Sequence, residues 1–227
     1  MVETKSGSKK TSAKRGQAPE SIRLGFFGAS GSGKTYRAKQ LCKGLKRLVV
    51  FDPTPEVDWA AECIDGVFYP DEARDFIRNH FDCGFRVCIV PTFGNETKEL
   101  NALCMFLIDL QKHYKTHGAK ITLVIDEMDL AFGSGTMQRN PRNMFGYLCR
   151  RGRHLGINLL GLSQRINQVD ITFRANLSGL YVFQHTEVAD IEQVKKLLPK
   201  QYHTKFMQLK QWDYIYKSGG LSKIVTV

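Results

Sequence analysis

Eight residues, Gly28 to Thr35, read GASGSGKT and fit the spacing G-x-x-x-x-G-K-[ST]. The chemistry they suit is the grip of a polyphosphate. Glycines let the successive backbone N–H groups of Gly28, Ala29, Ser30, Gly31, Ser32 and Gly33 curl round phosphate oxygens, and a helix N-terminus beyond them adds positive charge. Lys34 is placed to reach the β- and γ-phosphates, and Thr35 to ligate Mg2+. The expected ligands are ATP and Mg2+.

A second stretch, ITLVIDEMD, sets Asp126 and Glu127 at the tip of an apolar run. Two adjacent acids there are costly unless something cationic meets them. Beside a phosphate loop, Asp126 suits the Mg2+ side of the site. Glu127 suits polarisation of an attacking water, a role worth ~10²–10⁴ in rate. Asp126 could also cap a following helix, and the two roles are compatible. The pair favours hydrolysis of ATP over transfer of its phosphoryl group to a metabolite. Gln164 closes another apolar run, Ile157 to Leu162. In a doubly wound sheet such strand ends face the ligand, so its amide can sense the γ-phosphate or orient water.

Arginine is the third signal. From Leu130 to Val169 there is no Asp, Glu or Lys, but there are six arginines: Arg139, Arg142, Arg150, Arg151, Arg153 and Arg165. Arginine alone suits a bidentate hold on phosphate. Asn140-Pro141 reads as a helix cap, Met144, Phe145, Leu148 and Cys149 as that helix's buried face, and Gly152 as its stop. Arg150 and Arg151 then fall in a last turn, where the helix dipole already welcomes them. Arg153 lies beyond the stop and is explained less well. The stretch GSGTMQRNPR, Gly133 to Arg142, reads as a flexible polar loop. Arg139 and Arg142 near its end are either solvated linker residues or a grip on DNA phosphates.

The elements that must carry these groups can be read from the apolar pattern. Strands are predicted at Ile22–Phe27, Leu48–Phe51, Arg86–Val90, Ile121–Ile125, Ile157–Leu162 and Gly179–Phe183. A terminal hairpin is predicted from Asp213–Tyr216 and Ser222–Val227 across Ser218-Gly219-Gly220. Helices are predicted at Lys34–Lys46 and Glu96 to about Thr116. Continuous rather than alternating apolar strands mark a mainly parallel sheet covered on both faces, an α/β fold. Residues 1–20, with five Lys and Arg among Ser, Gly and Thr, are expected to form a disordered basic arm. Residues 21–227 suffice for one domain.

The chain of 227 residues carries 33 Lys and Arg against 22 Asp and Glu, a formal net charge of +11. That surplus favours polyanionic partners, nucleic acid before an anionic membrane surface. No run approaches the length of a membrane span, and no signal peptide is expected. The six cysteines form no CxxC pair and read as reduced thiols, most of them buried.

Taken in order, GASGSGKT, LVIDE, GRHLGINLLGLSQR and FRANLSGLYVF resemble the P-loop ATPases of the FtsK/HerA class. Within it they look most like the compact genome-packaging ATPases of tailless viruses with an internal membrane, the tectivirus type. The resemblance runs from Leu24 to Leu198. It implies a RecA-like, ASCE-type fold with a central sheet flanked by helices. Lys34 and Thr35 would hold nucleotide and Mg2+, Asp126 and Glu127 would be the Walker B pair, Gln164 a sensor, and Arg153 an arginine reaching a neighbour's ATP in a ring. FDPTPE resembles the family's Asp-Pro segment, which would put Asp52 beside the site. The function implied is an ATP-driven motor that packages double-stranded DNA into a preformed procapsid. It would work as a homo-oligomeric ring, a hexamer by expectation, with capsid-vertex or membrane proteins as partners. It would act in the host cytoplasm during assembly and then stay with the virion at a packaging vertex. Alternatives are a filamentous-phage assembly or conjugation-type ATPase, and a non-translocating nucleotide-dependent docking switch.

Overall fold

The apolar runs of the sequence lie side by side in one sheet. The computed structural model describes residues 21–54, 59–218 and 221–225, the last five as backbone only. Residues 1–20, expected as a basic arm, residues 55–58, Gly219 and Gly220, expected within the terminal hairpin, and residues 226–227 lie outside the described residues. In chain order the strands are β1 (Arg23–Phe27), β2 (Arg47–Phe51), β3 (Gly66–Phe68), β4 (Phe85–Ile89), β5 (Ile121–Ile125), β6 (Ile157–Ser163), β7 (Gly179–Val182), β8 (Tyr214–Ser218) and β9 (Leu221–Val225). Their order across the sheet is β3-β4-β2-β5-β6-β1-β7-β8-β9. Pairing is parallel from β3 to β7; β8 and β9 close the sheet as an antiparallel hairpin. Short, half-exposed β3 gave no apolar run to read.

The helices are α1 (Lys34–Cys42), α2 (Pro70–Asn79), α3 (Glu96–Leu110), α4 (Tyr114–His117), α5 (Met128–Ala131), α6 (Thr136–Arg139), α7 (Met144–Arg151), α8 (Ile171–Ala175), α9 (Val188–Leu197) and α10 (His203–Met207). Successive strand residues bury into opposite faces, as a period of two requires. Val49, Phe51, Leu123 and Ile125 join Leu100, Leu103, Leu107, Leu148 and Phe173 in one core. Leu48, Val50, Val124 and Leu160 join Ala38, Cys42 and Trp59 in the other. Five cysteines are buried and Cys83 is exposed.

Three local expectations are corrected. The helix predicted to about Thr116 stops at Leu110 and resumes as α4. Gln111 breaks the apolar stripe: it is buried, and its amide donates to the Ala119 carbonyl at 2.8 Å, which the turn makes possible. Asn140-Pro141 is not the cap of α7. Asn143 is, with its side chain accepting from Gly146 N. Nor does Gly152 end the helical run. Its φ is −58°, a 3-10 turn continues to Leu155, and the left-handed stop is Gly156 at φ 65°. There a Cβ would lie 2.2 Å from the Tyr114 ring, so only glycine fits.

Candidate nucleotide site

The parallel register decides which residues meet. With β6 between β1 and β5, Phe27 stands opposite Ser163 and Ile125 opposite Gly161. The phosphate-loop segment after β1, Gln164 after β6 and Asp126-Glu127 after β5 therefore emerge at neighbouring positions, each about 4.8 Å from the next. They line one cleft of about 360 Å³ containing Ser30, Gly31, Gly33, Lys34, Thr35, Asp126, Glu127 and Gln164. Gln164 Nε2 donates to Glu127 Oε1 at 2.7 Å. The Gln164 amide and the Glu127 carboxylate are thus in direct contact.

The loop itself is a braced cradle. Gly31 and Gly33 have φ of 69° and 104°, left-handed backbone that glycine adopts freely. Ala29 N donates to the Gln184 carbonyl at 2.8 Å, and Lys34 Nζ spans the loop to the Ala29 carbonyl at 2.9 Å. A Cβ on Gly28 would lie 2.5 Å from Phe183 Cβ, so the loop is seated tightly on the end of β7. Burial lowers the Lys34 pKa, while Glu127, Asp126 and Asp129 pull it up. Ser32 Oγ is buried with no hydrogen-bond partner. A buried ammonium and an orphaned hydroxyl suit a nucleotide's phosphates, while the N–H groups of Gly28, Ala29 and Ser32 donate to the Ser163, Gln184 and Ala29 carbonyls; Thr35 and Asp126 at the same cleft suit a divalent cation.

Both acids are held under stress. Asp126 is buried, and burial pushes its carboxyl up to about 6, with the Asp52 and Glu127 charges adding to the rise. Its Oδ2 accepts from the Trp59 indole N–H at 2.7 Å and its Oδ1 from Glu127 N at 2.9 Å. Asp52, fully buried, accepts from Thr54 and acts on the cleft through its charge. Glu127 sits at φ 38°, ψ 54°, left-handed backbone that side chains normally avoid. The next residue, Met128, packs over Gly161, where a Cβ would lie 2.6 Å from its sulfur. A glycine within the apolar β6 run is the sequence mark of that close approach. Trp59 and Trp212, the latter also lining the cleft, carried no such mark.

Other predicted residues stay outside the cleft. Arg150, Arg151 and Arg153 are exposed and precede β6, at the opposite end of the strand from Gln164. Seven strand residues place that end about 20 Å away. Arg165 directs its Nε to fully buried Asp190 at 2.8 Å, in a neighbouring cavity also lined by Ala29, Ser30 and Gln164. The acid missing from Leu130–Val169 is supplied by α9. The Gly133–Arg142 segment is also less free than its composition implies. Gly133 bridges to Val169, Thr136 is buried, and Met137 N donates to Asp170 Oδ2 at 3.0 Å. Arg139 and Arg142 remain exposed at its end.

No family model and no curated protein matches the sequence. Solved structures do match. The genome packaging NTPase B204 from Sulfolobus turreted icosahedral virus 2, in complex with AMPPCP, aligns with a TM-score of 0.70 at 15% identity, over 91% of this chain and 97% of that one. The chain has the B204 fold. VirB4 of Thermoanaerobacter pseudethanolicus follows at 0.62 and 12% identity, over 94% of this chain and 91% of that one. ATPases 2 and 3 of EssC from Geobacillus thermodenitrificans align at 0.56 and 10% identity, over 89% of this chain and 39% of that one. B204 itself was solved with ATP-gammaS and AMP as well as AMPPCP. The RecA-like arrangement that the FtsK/HerA resemblance implies is the one observed.

The strained acids are open to direct measurement. At φ 38° a Cβ is a liability, so Glu127→Gly should be more stable than Glu127→Ala by about 1 kcal/mol, the reverse of the usual order. Chemical denaturation of the two variants decides it; Ala at least as stable as Gly refutes the strained backbone. For Asp126, the folded pKa of about 6 lies above the unfolded value of about 3.9. The folded state therefore holds the extra proton between those values, and stability falls as pH rises through that window. The cost, of order 2–3 kcal/mol, is fully present above about pH 6. Relative to the parent, Asp126→Asn should gain stability from about pH 4 to 7 in nucleotide-free, chelated buffer. A pH-independent difference would show that the carboxyl titrates normally.

Proposed function

We propose that the protein is an ATP-hydrolysing motor that moves double-stranded DNA into a preformed viral shell. The observation that supports hydrolysis most is the Glu127–Gln164 contact beside the phosphate loop. In this reading the Gly28–Thr35 backbone and Lys34 hold the triphosphate, and Thr35 and Asp126 hold Mg2+. A cation held by Thr35 and Asp126 would supply positive charge against the phosphate oxygens. Glu127 orients water and accepts its proton, and Gln164 keeps that carboxylate aimed while sensing the γ-phosphate. A non-translocating switch has little use for a carboxylate and an amide locked together at this point.

The DNA part of the reading rests on the likeness to B204, named as a genome packaging NTPase, and on the +11 charge. Arg153, about 20 Å from its own cleft, is assigned to a neighbour's nucleotide, which calls for a homo-oligomeric ring, taken as a hexamer. Arg139 and Arg142, exposed on a segment tied to the β6–α8 connection, are assigned to DNA backbone phosphates. Capsid-vertex or membrane proteins would anchor the ring, which would form in the host cytoplasm and remain at a vertex of the virion.

The test is ATP turnover with and without duplex DNA. The parent should be stimulated several-fold. Arg139→Ala with Arg142→Ala should keep basal turnover, lose the stimulation, and lower the salt slope of DNA binding by ~0.9 per lost contact. Arg153→Ala should turn over poorly alone and regain activity when co-assembled with Lys34→Ala. Absence of stimulation in the parent overturns the motor. An unchanged salt slope removes the two arginines as the grip, and no recovery in verified mixed assemblies removes the trans role of Arg153.

A further inference from the structure

Trp59, the largest fully buried side chain among the described residues, touches two residues that line the phosphate cleft. Its Nε1 donates to Asp126 Oδ2 at 2.7 Å, and Lys39 Nζ lies 5.7 Å from its ring centre. A buried indole N–H needs an acceptor, but any main-chain carbonyl would serve. Here the acceptor is a carboxylate whose neighbours Asp52 and Glu127 repel it. Core packing explains the ring and leaves the choice of acceptor unexplained.

Trp59 is itself braced. Glu62 N and Cys63 N both donate to its carbonyl at 3.0 Å, which closes a tight turn. Arg86 Nε donates to the Glu62 carbonyl at 2.8 Å, and Arg86 Nη1 to the Cys42 and Leu45 carbonyls at 3.0 and 2.8 Å. That staples the turn to the end of α1. Glu62 also pairs with Lys39 of α1 at 3.5 Å. The ring shares the core of Ala38, Cys42 and Val50. The indole N–H is therefore positioned from the same helix that begins with Lys34 and Thr35.

The terminal torsion of an aspartate is broad and two-fold, so the plane of its carboxylate is set by what the oxygens meet. At Asp126 the two oxygens have different donors: Oδ1 accepts from Glu127 N at 2.9 Å and Oδ2 from the indole. One bond comes from the next residue in the chain. The other comes from 67 positions away and fixes the plane. We infer that Trp59 is a positioning residue for the divalent cation of the nucleotide: its N–H sets the direction in which the Asp126 carboxylate presents a lone pair to the cleft. The inference rests on the reading in which Thr35 and Asp126 hold Mg2+. Groups that orient a metal-binding side chain through its hydrogen bonds are worth roughly 10- to 100-fold in metal affinity.

Trp59→Phe keeps a ring in the slot and removes the donor. Binding of a non-hydrolysable ATP analogue, measured by calorimetry in chelator and across a Mg2+ titration, reads the effect without turnover. Affinity in chelator should stay within about twofold of the parent, while the Mg2+ concentration giving half of the Mg2+-dependent tightening should rise roughly 10- to 100-fold. ATP turnover should recover at saturating Mg2+. An unchanged Mg2+ midpoint, or equal weakening with and without Mg2+, makes Trp59 a packing residue and overturns the inference. If Trp59→Phe does not fold, the parent decides. Its two tryptophans give two indole N–H signals in a proton–nitrogen correlation spectrum, and the slower-exchanging one belongs to buried Trp59. Asp126 Oδ2 gives up charge when the cation binds, so that signal should shift as Mg2+ is added to the analogue-loaded protein. A signal that ignores Mg2+ while Mg2+ still tightens binding overturns the inference. If Mg2+ tightens nothing in the parent, the assignment of Asp126 to the cation fails, and this inference falls with it.

Discussion

The placement of β6 between β1 and β5 is the constraint on which the site depends. Parallel strands leave the sheet at the same edge, and adjacent strands leave it about 4.8 Å apart. A strand inserted between the phosphate-loop strand and the acidic strand spaces the two about 10 Å apart, leaving a gap between their ends. It also delivers Gln164 to the middle of that gap, where the amide meets Glu127 at 2.7 Å. The burial of Leu159 on one face and of Leu160 and Leu162 on the other holds that middle strand in register, so packing far from the cleft fixes the chemistry within it.

The cleft stores unfavourable terms that a ligand can relieve. Burial lowers the affinity of Lys34 for its proton and raises that of Asp126. Each group would regain its charge more readily beside an opposite one: phosphate for the lysine, a divalent cation for the aspartate. Glu127 is held in left-handed backbone, anchored by Met128 in the notch above Gly161. Trp212 is strained in the same sense on the other side of the loop. Sites organised this way give up stability for positioning, and the sheet beneath carries the deficit.

Much of this was legible in the sequence because local rules and the global fold agree. GASGSGKT, the apolar strands and Asp126-Glu127 each obey a short-range pattern, and the structure brings Lys34, Thr35, Asp126, Glu127 and Gln164 into one cleft. What was not legible depends on distant partners. Trp59 reaches Asp126 across 67 positions, and Trp212 reaches back to Ser32 in the loop. Arg165 stands in a stretch without acids, and the acid it meets, Asp190, lies 25 residues away. Buried Gln111 broke a helix that its apolar spacing had extended, and backbone ties to Val169 and Asp170 pin a segment that its glycines made look free.

The central claim is that Glu127 and Gln164 work as one unit on ATP held by the Gly28–Thr35 loop. Single-turnover hydrolysis by the parent, Glu127→Gln, Gln164→Ala and the double variant measures it. Residues acting as a unit are strongly non-additive. Each single variant should therefore lose most of its rate while still binding ATP, and the double variant should be no slower than the slower single one. Losses that multiply in the double variant would contradict the account: the two side chains would then act independently, and their contact would have no part in the chemistry.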